Sequence, residues 1–94
     1  MKTFPKDPDA TLDFGVDWAA RGWLQPGETI VTSEWSVSGP DNELQSSSPG
    51  HDETTTLVWL SGGTLDAKYR VTNRITTSAG RTDDRSFFVR IRER

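Results

Sequence analysis

Residues 60–71 read LSGGTLDAKYRV and hold the end of one element, a corner and the start of the next. Leu60 closes the run Thr54–Leu60, whose Thr, Leu, Val and Trp content suits a strand. Gly62 and Gly63 stop that run, since successive glycines pack nothing and favour a turn. The following run, Ala67–Thr77, places Tyr69, Val71, Asn73 and Ile75 on one side and Lys68, Arg70, Thr72, Arg74 and Thr76 on the other. Strand side chains alternate between faces, so this run predicts a half-buried strand with the Tyr69 set inward.

The alternation continues in both directions. Downstream, Ala79-Gly80 makes a turn, and Arg85–Glu93 sets Phe87, Val89 and Ile91 inward against Phe88, Arg90 and Arg92, which predicts a hairpin with the preceding run. Upstream, Ala10–Trp18 puts Leu12, Phe14, Val16 and Trp18 on one face and Asp13, Gly15 and Asp17 on the other. Glu28–Val37 sets Val31, Ser33, Trp35 and Val37 against Ile30, Thr32, Glu34 and Ser36. Ala19–Leu24 is the one plausible helical turn, closed by Pro26-Gly27. The stretch Ser38–Glu53 is polar and turn-prone and predicts a mobile loop holding a short strand near Leu44–Ser47. Strands joined at short spacing bury their faces best as two packed sheets.

The Leu60–Val71 segment resembles the E-to-F passage of fibronectin-III and immunoglobulin-like domains, in which a Tyr enters the strand after a Gly-bearing corner. Val31, Ser33 and Trp35 likewise resemble the Trp-bearing B strand of fibronectin-III. The resemblance implies an all-β, immunoglobulin/fibronectin-III-like antiparallel sandwich of about seven strands. The expected organisation is an N-terminal extension over residues 1–9 and a single domain over 10–94. Its expected core is Leu12, Phe14, Val16, Trp18, Val31, Trp35, Leu60, Tyr69, Val71, Phe87, Val89 and Ile91. Asn73, inward among apolar neighbours, requires hydrogen-bond partners and is expected to brace a loop.

Composition narrows the chemistry. With no Cys and one His, neither a Cys nucleophile nor a His cluster can form, and a Ser-His-Asp triad would require His51 from a polar loop. Asp52-Glu53 and Asp83-Asp84 lack the spacing of a calcium loop, and Asp7, Asp9 and Asp13, which could bind a cation at a sandwich pole, have no Gly-bearing ligand loop beside them. Gly62-Gly63 lacks the Lys-Ser/Thr and the helix of a phosphate loop. The expectation is a protein that is not an enzyme, with no cofactor and no metal. No apolar run approaches the roughly 20 residues that span a bilayer, so a soluble chain synthesised in the cytoplasm, with no membrane contact, is expected.

Charge is divided along the chain. Residues 1–53 carry ten acids against three bases, and residues 54–94 carry eight bases against four acids. The outward row Lys68, Arg70, Arg74, Arg90 and Arg92 could meet phosphates, but the net charge of −3 argues against nucleic acid. It could equally pair with Asp13 and Asp17 if the first strand lies beside the last, or with the acidic half of another copy. Apolar residues on the wrong face add candidates. Phe88 opposes its core-facing neighbours, and an inward Leu60 turns Trp59 outward. Trp23, Trp59 and Phe88, with Arg70, Arg74, Arg90 and Arg92, form the candidate interface, since Trp and Arg are enriched where proteins bind.

A chain-long resemblance completes the picture. KDPDATLDFGVDW, WLQPGETI, SEWSV, TTTLVWLSGG and YRVTNRITTSAGRTDDRSFFVRIRER look like a family of small tailed-phage structural proteins, described as head–tail neck or fiber–tail adaptor proteins. The resemblance implies a virion component, a homo-oligomer in several copies at the neck or tail, whose partners are portal, connector, tail or fiber proteins. The competing expectation is a carbohydrate- or host-surface-binding module in which exposed Trp rings stack on sugars.

Overall fold

The computed structural model describes residues 2–93, Arg21 by its backbone alone. Met1 and Arg94, the outermost residues of the expected extension and domain, lie outside the described residues. The strands are β1 (Thr3–Lys6), β2 (Thr11–Asp17), β3 (Ile30–Ser38), β4 (Leu44–His51), β5 (Thr55–Gly62), β6 (Lys68–Thr77) and β7 (Thr82–Ile91), with a 3-10 turn at Ala20–Gly22. They form a four-stranded sheet ordered β1-β7-β6-β3 and a three-stranded sheet ordered β2-β5-β4. All pairings are antiparallel except β1 with β7, which is parallel. The result is an all-β, immunoglobulin-like sandwich.

Alternation decides what lies between the sheets. Val58, Leu60, Tyr69, Val71, Phe87, Val89 and Ile91 are buried together with Leu44, and Phe14, Trp35 and Val37 pack around them. Trp18, Ile30 and Ile75 form a second buried cluster, with Val16, Trp23 and Leu24 against it. Leu12 is half-buried opposite Leu60. Asn73 sits on β6 between Val71 of the first cluster and Ile75 of the second, fully buried. Its Oδ1 accepts from the Trp18 indole (2.9 Å) and the Thr56 hydroxyl (2.7 Å), and its Nδ2 donates to Ser33 Oγ (2.9 Å) and the Glu34 carbonyl (3.1 Å). All four positions of the amide are filled. Rather than bracing a loop, Asn73 fastens β5 and the end of β2 to β6 and β3, across the two sheets.

The corner Tyr is fixed in the same manner. Tyr69 is buried, its hydroxyl accepts from the Thr64 amide (3.0 Å) and donates to Asp41 Oδ1 (2.6 Å). Asp41 also takes the Thr64 hydroxyl and the Glu43 amide. These donors, the Tyr69 hydroxyl first, hold the Asp41 carboxyl below its ordinary range. The E–F corner is thereby tied to the β3–β4 connection.

Several expectations are corrected. Val31 is 55% exposed, because the β3–β6 register shifts between Ile30 and Thr32. The extra residue lets Ile30 take the inward place and turns Val31 to solvent. The Trp35 strand, likened to a B strand, pairs with the Tyr69 strand and so takes the C position, because β2 holds the place beside β5. The polar loop contains an eight-residue strand, β4, bulged between Ser47 and Gly50. Residues 3–6, expected in an extension, form β1 and pair with β7. Pro5 is tolerated there because β1 is an edge strand. Lys6 anchors the strand: it is fully buried, and its ammonium donates to the Gly62 carbonyl (2.7 Å) and the Asp7 carbonyl (2.9 Å). Burial pushes the Lys6 pKa down, and the charges of Asp7 and Asp9 oppose that shift.

Candidate functional site

The topology sorts the outward residues into two faces on opposite sides of the sandwich. On the three-stranded sheet, β5 points Leu57 and Trp59 outward, 36% and 37% exposed. β2 sets Asp13 directly opposite Trp59 and Gly15 opposite Leu57, and β4 sets Ser47 opposite Trp59. Asp17 lies further along the same face of β2. An exposed Trp–Leu strip is thus bordered by carboxylates.

On the four-stranded sheet, β6 and β7 point Lys68, Arg70, Phe88 and Arg90 outward. Arg70 stands opposite Phe88, Lys68 stands opposite Arg90, and the Lys68 ammonium lies 4.3 Å from the Phe88 ring centre. Arg92 is exposed just beyond β7. Arg74, lower on β6, pairs with Asp84 at 3.4 Å. This face has an aromatic centre bordered by cations. Among the described residues Lys68, Arg70, Arg90 and Arg92 enter no salt bridge, and neither do Asp13 and Asp17. The pairing of Asp13 and Asp17 with Arg90 and Arg92 within one chain is ruled out by topology, since β2 lies in one sheet and β7 in the other.

Trp23 is placed differently from Trp59. It is half-buried, 5.1 Å from Trp18 between ring centres, with the Arg81 guanidinium 4.1 Å above its ring. The chain itself covers it. Arg81 also donates to Glu28 Oε2 (2.8 Å) and the Trp23 carbonyl (2.8 Å). The Glu28 carboxylate further accepts from the Gln25 amide and the Thr77 hydroxyl. These bonds, Arg81 first, hold Glu28 at about 2, below its ordinary 4.5. A carboxyl whose folded pKa is depressed stabilises the fold fully above its ordinary pKa and loses that contribution as pH falls toward the folded value. The domain should therefore lose stability between about pH 4.5 and 2. Glu28→Gln should flatten that part of a pH–denaturation profile and leave the chain less stable at pH 7. An unchanged slope would remove Glu28 from the account. Neither Glu28 nor Arg81 stood out in sequence, because the two are far apart along the chain and only the fold joins them.

Between the open edges of β3 and β4 runs a groove of about 700 Å³, lined by Trp35, Val58, Ser46 and Pro49 among others. The indole Nε1 of Trp35, buried beside it, and Nε of Arg90 are side-chain nitrogens without a partner among the described residues. The edges themselves are poorly shaped for strand addition. β1 carries Pro5, β4 carries Pro49 and a bulge, and β3 is bulged at Val31.

His51 is exposed on β4, with Nδ1 3.0 Å from the Asp52 carbonyl. Among the described residues no three His, Asp or Glu side chains converge in a way that could hold a metal ion. What the arrangement presents is two aromatic-centred faces of opposite charge.

No curated protein matches the chain. A family model described as Podophage GP4 fiber-tail adaptor protein gp77 matches residues 6–90, from Lys6 at the end of β1 to Arg90 in β7. The match thus covers β2 through β6 entire, including the Trp59 face, the Tyr69 corner, Asn73 and all of the Phe88 face except Arg92. The chain belongs to the podophage fiber-tail adaptor family.

Proposed function

We propose that this chain is a non-enzymatic structural component of the tailed-phage virion that joins tail and fiber by docking, in several copies per particle. The observation that carries the reading is the exposed Leu57–Trp59 strip, on a domain whose family description names an adaptor between these two structures. That description favours the fiber–tail junction over the head–tail neck. A small rigid sandwich suits the task, since preformed faces lose little freedom on docking.

Trp59→Ala is expected to cost the isolated domain about 1–2 kcal/mol, less than the roughly 3–5 of a core Trp, because the partly covered side chain lies outside both core clusters. Capture of tail and fiber proteins in a pull-down should fall at least about tenfold, as at a binding hot spot. Unfolding of the variant, or undiminished capture, would contradict the role given to this face. A glycan-dependent shift in Trp fluorescence without capture of either protein would support a carbohydrate-binding module in place of the adaptor.

A further inference from the structure

We infer that the acidic Trp59 face of one copy docks on the basic Phe88 face of the next, so that the chain's own second copy is the partner that covers these surfaces. The inference rests on the multi-copy adaptor reading and names one contact that such a reading requires. Its starting point is charge left uncompensated within the chain. Topology places Asp13 and Asp17 on one side of the sandwich and Lys68, Arg70, Arg90 and Arg92 on the other, and among the described residues none of the six enters a salt bridge.

The two faces match in layout as well as in sign. Each has an aromatic ring with a charged residue directly across the strand pair, Asp13 beside Trp59 and Arg70 beside Phe88. Stacking the faces puts apolar rings at the centre and opposite charges around them, the usual anatomy of a specific interface. Room is sufficient, since a molecule measuring 42 × 22 × 19 Å has faces large enough for the roughly 800 Å² per partner of a standard interface. Edge-to-edge pairing competes poorly, because Pro5, Pro49 and the bulges in β3 and β4 interrupt three of the four edges. A contact between two different faces is heterologous, so it leaves both outer faces of any dimer free and propagates into a ring or filament.

The test is sedimentation of the full chain at ionic strengths of about 0.05 and 1 M. Concentration-dependent association that weakens at high salt is expected. Asp13→Lys with Asp17→Lys makes both faces basic, and Lys68→Glu with Arg70→Glu and Arg92→Glu makes the Phe88 face acidic like its opposite. Each variant alone should associate at least about 100-fold more weakly than the natural chain. An equimolar mixture of the two should recover association, because every unlike pair is complementary again. Recovery also shows that both variants are folded. A natural chain that stays monomeric, variants that associate as strongly as it does, or a mixture that fails to recover would each overturn the inference. A monomeric chain that still captures tail and fiber proteins would overturn this contact and leave the adaptor reading standing. Association through these faces without any capture would do the reverse.

Discussion

Asn73→Ala is expected to lower the stability of this domain by about 3–5 kcal/mol, more than any surface change. The amide is the shared partner of the Trp18 indole, the Thr56 hydroxyl and the Ser33 hydroxyl, and removing it strands all three at once. Trp18 and Thr56 are buried, so water does not replace the lost acceptor without opening the sandwich. Each stranded buried group costs about 1–3 kcal/mol, and the vacated volume adds to that. For a domain of this length the thermal midpoint should fall by roughly 15–30 °C. Urea denaturation followed by Trp fluorescence would measure the loss directly. A loss below about 1 kcal/mol would mean that the two sheets are held by apolar packing alone and that the staple is incidental.

Gly62→Ala should cost about 2–4 kcal/mol. Gly62 has φ of 75°, and a Cβ at this position would lie 2.5 Å from the Glu43 carbonyl oxygen, a backbone atom that cannot swing aside. Its own carbonyl receives the buried Lys6 ammonium, so any shift of the corner also disturbs the anchor of β1. Gly80→Ala is the control. Its φ is 81°, yet nothing lies within 4 Å of the added Cβ, so only the conformational cost of about 1 kcal/mol applies. Equal losses in the two variants, measured by the same denaturation, would show that the contact with Glu43 is relieved at no cost.

Much of the sandwich was legible because local alternation and global packing agree. In β5, β6 and β7 the inward register is mainly apolar, and its buried polar residues Thr56, Asn73 and Thr77 have their hydrogen-bond partners supplied. The Tyr69 corner added a marker tied to geometry rather than to propensity. What escaped the sequence was decided by partners distant along the chain. Val31 alternates correctly with Ser33 and Trp35, and only the bulge opposite Thr76–Thr77 of β6 turns it outward. β4 has one apolar anchor, Leu44, since it is an edge strand whose remaining side chains mostly meet solvent. β1 contains Pro5 and pairs in parallel with the far end of the chain, a contact that no short-range pattern records.

The candidate interface was legible to a similar degree. Trp59 follows from the inward placement of Leu60, which fixes the phase of the whole strand. Trp23 does not follow, because the cover supplied by Arg81 comes from the β6–β7 turn, distant in sequence. Charge asymmetry between the two halves of the chain was plain, but its meaning depended on which strands share a sheet. Once β2 is placed in one sheet and β7 in the other, Asp13 and Asp17 cannot neutralise Arg90 and Arg92 across a strand pair, and the charges left unpaired belong to two opposed faces.

Cryo-electron microscopy of intact particles tests the central claim most directly. The account predicts sandwich-shaped density of about 42 × 22 × 19 Å at the junction of tail and fiber, repeated around the tail axis and touching both structures. Absence of the chain from that junction, or its presence only where no fiber attaches, would contradict the account.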